Sequence, residues 1–150
     1  MAVKAKILGK KKLSNQLKNM SNDLRSDLAK QMAISLAQMN QDVKKGINTG
    51  ARSGAFYKRG KKSRQRSAPG ELPKTDTGDL VSKFSTKVKV KQTEVIGVLG
   101  NNSDHAMELE FGSSQQGGRP FMRPLWNKWS PILTVKFKAV IKRSLRKNSK

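Results

Sequence analysis

Ala106-Met107-Glu108-Leu109-Glu110-Phe111-Gly112-Ser113, then Ser114-Gln115-Gln116-Gly117-Gly118, then Arg119-Pro120-Phe121-Met122-Arg123-Pro124-Leu125, is the run around which the chain is organised. Met107, Leu109 and Phe111 alternate with Glu108 and Glu110, which is the period of a half-buried strand. Gly112 ends that strand, and residues 113–118 are polar and glycine-rich, the composition of a flexible loop. Pro120 and Pro124 fix the backbone twice. Pro124 suits the first turn of a helix, where a missing N–H costs little. The run therefore predicts a strand, a loop and a stiff lead into a final helix.

Upstream of it, Phe84, Thr86, Val88 and Val90 alternate with Ser85, Lys87, Lys89 and Lys91, giving a strand with a lysine-rich outer face. Gln92 and Thr93 make a short turn into a second strand, residues 94–99, so the two read as a hairpin. Asn101, Asn102, Ser103 and Asp104 form a polar turn into residues 106–111. Three strands with short turns predict an antiparallel meander, in which Glu108 and Glu110 oppose lysines of the neighbouring strand. Before the meander, Thr75, Asp76 and Thr77 offer capping oxygens to a short helical turn from Gly78 to Lys83. Asp79 stands near its positive end. Pro69 and Gly70 form a turn pair within Ser67-Ala68-Pro69-Gly70-Glu71-Leu72-Pro73.

The longest periodic signal lies near the N-terminus. Leu13, Leu17, Met20, Leu24, Leu28, Met32, Leu36, Met39, Val43 and Ile47 recur at steps of three or four. They predict an amphipathic helix of about nine turns and roughly 50 Å. Such a helix is too long to bury its whole stripe in one small domain, so one end should project or pack on a neighbouring subunit. Gly46, Asn48, Thr49 and Gly50 stop it. At the other end, Leu125, Trp129, Ile132, Leu133, Val140, Ile141 and Leu145 mark a final helix, with Pro131 expected to kink or restart it. Trp126 and Trp129 are its expected core anchors.

Residues 51–73 have no clear period. Arg52, Lys58, Arg59, Lys61, Lys62, Arg64 and Arg66 precede the first acid, Glu71. A stretch so charged builds no core and is expected to be an extended basic loop. Phe56 and Tyr57 among the cations would also suit stacking on single-stranded nucleic acid. Gly54 to Ser63 resembles a phosphate loop only superficially. Five residues separate its glycines and a second lysine precedes the serine, where the motif requires four and none.

The composition sets the outer bounds. With 150 residues, 32 Lys plus Arg and 10 Asp plus Glu, the net charge is +22. That predicts attraction to nucleic acid, an acidic protein surface or anionic lipid. The absence of cysteine excludes a disulfide framework and a thiolate site. No apolar run approaches a membrane span. The N-terminal residues lack the apolar region of a secretory signal, so the cytosol of the producing cell is the expected compartment. The single histidine, His105, sits beside Asp104 and Ser103, but sequence neighbours in a turn do not make a triad. The expectation is no catalytic residue, no cofactor, no metal and no small-molecule substrate.

The fold class expected is α+β. A long N-terminal helix is followed by an antiparallel sheet of three to four strands and a C-terminal helix packed on that sheet. A single domain spans 13–146, with a basic flexible arm over 1–12 and a disordered tail over 147–150.

Four stretches in order carry a resemblance: Ser67 to Pro73 with Pro69 and Gly70; Thr77-Gly78-Asp79-Leu80; Glu110-Phe111-Gly112-Ser113; and Arg119 to Leu125 with Pro120, Phe121 and Pro124. Together, over residues 10–145, the chain resembles the gene-ten-like tail-component family of lambda-like tailed bacteriophages. That family usually has an aromatic residue where His105 stands and a small one where Leu125 stands. The resemblance implies a non-enzymatic virion protein of the neck, made in the host cytoplasm. It implies a subunit of a homo-oligomeric ring, expected to be hexameric. Its neighbours would be the head–tail connector or stopper and the tail-tube or tail-terminator proteins, with non-specific contact to packaged DNA. On that expectation, the seven cations of 51–73 together with Gly112, Ser113 and Arg119 make contacts between rings. The alternative expectation is a stand-alone basic nucleic-acid-binding protein.

Overall fold

The computed structural model describes the backbone of residues 10–148 and the side chains of residues 21–147. The order is α1 (Lys10–Thr49), β1 (Phe56–Arg59), β2 (Lys62–Gln65), α2 (Asp79–Ser82), β3 (Phe84–Val90), β4 (Val95–Asn101), α3 (Ala106–Phe111) and α4 (Met122–Asn148). The class is α+β. The single sheet of three to four strands is replaced by two separate antiparallel pairs, β1–β2 and β3–β4.

The 40 residues of α1 make a helix about 60 Å long. Among the described residues, its buried apolar side chains are Leu36, Met39, Val43 and Ile47, at steps of three, four and four. They pack with Phe84, Phe121, Leu125 and Trp129 to form the core. α4 lies antiparallel along α1, not on a sheet as expected, and the β3–β4 pair packs on α1 as well. Trp129 Nε1 and Lys128 Nζ donate to Asp42 Oδ2 at 2.8 and 2.7 Å, and further along Lys136 Nζ donates to Gln38 Oε1 at 2.5 Å. Lys136 also stands 5.2 Å from the centre of the Trp129 ring, in cation–π range. The β3–β4 hairpin pairs Phe84 with Asn101 through Val90 with Val95. It lies along α1 so closely that a side chain at Gly97 would stand 2.3 Å from Met32 Sδ. The far end of the hairpin is tied to α1 by Arg25 Nη1, which donates to the Gln92 carbonyl at 2.6 Å.

Several expectations change. Residues 106–111 are a helix, not a strand. Ala, Met, Glu and Leu are strong helix formers. Ala106 and Leu109, three apart, pack against the core, while Met107 and Phe111, four apart, share the exposed face. The alternation of apolar and acidic residues was thus compatible with both periods. Glu108 and Glu110 accordingly face no strand of lysines. α4 continues as one helix across Pro131, with no restart. Trp129 is buried as expected, but Trp126 is 58% exposed. Lys10, Lys11 and Lys12 belong to α1, and Lys147 and Asn148 to α4, rather than to an arm and a tail. Residues 1–9 and 149–150 of those two segments lie outside the described residues.

The stretch expected to be an extended loop contains the β1–β2 hairpin, with Phe56 opposite Gln65 and Arg59 opposite Lys62. Gly60, at φ 58°, occupies the first position of its two-residue turn, where a hairpin turn of the II′ kind takes glycine.

Candidate functional site: the motif junction and the basic hairpin

The four ordered sequence motifs converge on one junction beside the C-terminal end of α1. Ala68-Pro69-Gly70-Glu71 is a turn closed by Glu71 N–H donating to the Ala68 carbonyl at 3.2 Å. Proline at the second position and glycine with φ 85° at the third are what a type II turn demands. Gly70 N–H then donates to the Gly118 carbonyl at 2.8 Å, joining this turn to the loop before α4. The following residues finish α1: Thr75 N–H donates to Ile47 O at 3.2 Å, and Lys74 Nζ to Asn48 O. These bonds satisfy carbonyls left orphaned at a helix end, where a cation is also favourable.

Gly78 precedes α2 in a left-handed conformation, and Thr77 Oγ1 accepts from Asp79 N–H at 3.3 Å. Leu80 turns into the core. Its carbonyl accepts from Asn101 Nδ2 at 2.6 Å. Ser103 is buried and donates from Oγ to Asp79 Oδ2 at 2.7 Å. The Ser103 and Lys83 hydrogen bonds to Asp79 hold its carboxyl below the usual range.

Glu110 has the most demanding task. Its Oε2 accepts from Phe121 N–H and Met122 N–H, each at 2.8 Å, and its Oε1 from Arg123 N–H at 3.0 Å. The next residue, Pro124, has no N–H. The orphan donors of the first turn of α4 are thereby all answered by one carboxylate, whose charge also suits the helix N-terminus. Gly112 ends α3 at φ 83°, and a side chain there would lie 2.8 Å from Gly118 N and 2.9 Å from Gln116 O. Phe121 is 2% exposed and meets Phe84 edge-on, with ring centres 5.7 Å apart. The motif residues thus serve local geometry: Glu110 caps, Gly112 turns, Phe121 anchors and Pro124 removes a donor. Phe111 stays outside, 67% exposed, and with Met107 at 71% it forms a bare apolar face on α3.

The residues expected to touch other rings divide. Lys58, Lys61 and Lys62 are exposed and form no ion pair among the described residues. Arg59 and Arg64, together with Tyr57, occupy one face of the hairpin and hydrogen-bond to Asp76. Burial works against the charge of Asp76, but those three donors outweigh it and lower the carboxyl pKa. Arg52 reaches the Thr75 carbonyl at 3.5 Å. Ser113 is exposed in a tight turn, its N–H on the Gln116 carbonyl at 2.8 Å. Gly112 and Arg119 are turned inward. Arg119 N–H donates to Leu109 O at 2.6 Å, and its Nε to the Ser67 carbonyl at 2.8 Å. Arg119 is buried, and its side chain is a strut between the loop and the foot of the hairpin.

An apolar groove of about 640 Å³, which sequence reasoning did not anticipate, opens between α1, β4 and α4, with Met32, Leu36, Val98, Trp126, Leu133 and Phe137 among its walls. The exposure of Trp126 has its origin here. Among the described residues no cluster of three or more His, Cys, Asp or Glu side chains could hold a metal ion. No helix among them is long and apolar enough to cross a membrane. In comparisons with known proteins, the chain matches no family model, no curated protein and no solved structure.

Proposed function

We propose that this chain is a structural protein of a phage virion, a tail-completion or tail-terminator-like ring subunit at the head–tail junction. The observation that carries the reading is an unfinished surface. Trp126, Met107, Phe111 and Val135 are all more than half exposed. In α1, Leu24, Leu28 and Met32 are only partly buried. Large apolar side chains left in water mark contact surfaces. The ordered motifs that resemble the gene-ten-like tail-component family add to this, since they build the joint that aims α4.

In this reading the chain forms a homo-oligomeric ring, taken as six subunits, with neighbours packed on the α3 face and on the groove beside Trp126. The hairpin tip, Lys58, Lys61 and Lys62, projects toward the acidic surface of a connector, stopper, terminator or tube protein, or toward DNA in the channel. The exposed turn at Ser113 makes a second contact. The subunit is not an enzyme and needs no cofactor.

Light scattering with negative-stain imaging, at low and high salt and without nucleic acid, tests the reading. Rings, alone or on purified tails, are the expected outcome. The triple charge reversal Lys58→Glu, Lys61→Glu and Lys62→Glu should leave the subunit folded and abolish head–tail joining. A second reading, a nucleic-acid-binding protein, draws on the same cations and on exposed Lys87 and Lys89 of β3. It predicts a salt-stable monomer whose DNA affinity falls steeply with salt through counterion release. That result would remove the ring.

A further inference from the structure

Between the foot of the β1–β2 hairpin, the 73–80 loop and α3 lies a cavity of about 320 Å³ lined in part by Arg66, Thr75, His105 and Arg119. Arg119 is only 7% exposed. It donates to two neutral oxygens, the Ser67 carbonyl from Nε and, at 3.4 Å, the Gln116 side-chain oxygen from Nη1. Among the described residues it forms no ion pair. A guanidinium carries five N–H donors, so most of this one's capacity is unspent. Burial lowers its pKa, and the nearby charge of Arg66 acts in the same direction, opposed by Glu71. A buried cation without a counter-charge is costly unless something answers it.

Asp76 and Asp79 also line the cavity, and these acids and nearby Glu71 are already engaged. Asp76 is held by Arg59 and Arg64, Asp79 by Lys83 and Ser103, and Glu71 by Ser53 Oγ and Ala68 N–H. Lys74, also on the lining, is spent on the Asn48 carbonyl. Arg66 has no ion pair among the described residues and lines the same cavity as Arg119.

We propose that this cavity binds a small oxyanion, a phosphate or a carboxylate, gripped by Arg66 and Arg119. Planar guanidinium forks match the paired oxygens of both anions, and charge-assisted bonds to them are strong. The site is separate from the exposed hairpin tip, and it does not rest on the ring reading. A monomer that binds the anion would sink the ring and leave this site standing.

Calorimetric titration of the full chain with sodium phosphate and with sodium acetate, at constant ionic strength held with chloride, tests it. Saturable binding near one anion per chain is expected. Arg66→Gln should weaken it about tenfold or more. Lys61→Gln, the same charge change at the hairpin tip, should leave it unchanged. Binding of phosphate alone identifies a tetrahedral ligand, and binding of acetate alone identifies a carboxylate such as an acidic side chain of a partner. Because Arg119 also ties down Ser67, Arg119→Lys is the second variant: it keeps the charge and should lose the affinity that depends on the planar fork. No saturable heat with either anion, or equal weakening by Arg66→Gln and Lys61→Gln, overturns the site.

Discussion

Along the α1–α4 seam, Leu36, Met39, Val43 and Ile47 meet Leu125 and Trp129, and the polar groups Asp42, Lys128 and Gln38 close the edges. At the junction of residues 67–80 with 105–124 the balance is reversed. There the chain is held by Glu110 on three backbone N–H groups, Gly70 on Gly118, and Arg119 on Ser67 and Leu109. The seam derives its strength from non-directional burial, so it tolerates substitutions that keep volume. The junction depends on individual donors and acceptors, so it fixes direction, here the direction in which α4 leaves. A subunit that must present a helix and a hairpin at set angles needs the second kind of construction at the root of both.

The residue that belongs to both regions should show the largest effect. Phe121 gives its N–H to Glu110 and its ring to the core against Phe84. Phe121→Ala should cost about 3–5 kcal/mol in urea unfolding, the range for removing a buried aromatic ring. A cost below about 1 kcal/mol would mean that the core closes without Phe121.

The junction alone is probed by Glu110→Gln. The amide keeps the size but loses the charge and one of two acceptor oxygens, so three N–H groups compete for a weaker cap. A loss of about 1–2 kcal/mol is expected, the scale of a cap together with its helix-dipole interaction. Glu108→Gln, on the exposed side of the same helix, is the control and should be near neutral. Equal losses from both would assign the effect to net charge, not to the cap.

The sequence made the seam legible because burial writes a period: α1, its stop near Thr49, the β3–β4 pair and the Leu125–Trp129 stripe all follow from spacing. It made the junction legible as motifs but not as structure. Six residues are too few to separate a period of two from one of 3.6 when Met107, Leu109 and Phe111 alternate, and helix propensity was the better guide. Glu110 looked like a strand-face acid because its partners, the N–H groups of 121–123, lie more than ten residues away and have no side-chain signature. The β1–β2 hairpin was missed for a different reason. Its residues are largely exposed, so no apolar pattern could mark it, and only Gly60-Lys61 carried a turn signal. The groove beside Trp126 was hidden by the assumption that both tryptophans fill the core.

The hairpin gives the finest version of the comparison, since it has almost no buried surface and is anchored through Asp76. Arg59 and Arg64 come to this carboxylate from opposite strands, and Tyr57 joins them. The folded pKa of Asp76 is lowered from its ordinary value of 3.8. Its hold is therefore full above that value and is lost as pH falls through the lower folded-state pKa. Asp76→Asn should release the hairpin at neutral pH while leaving the seam intact. In amide NMR spectra, the signals of Tyr57–Arg64 should then move toward unstructured positions, and Ile47 and Val43 should not shift. In the unaltered chain the same movement should appear only on acidification below about 3.8, whereas the variant should show no further change there. If the cross-strand signals of Asp76→Asn stay dispersed, the hairpin is held by its own turn and backbone ladder, and its projection does not depend on the junction.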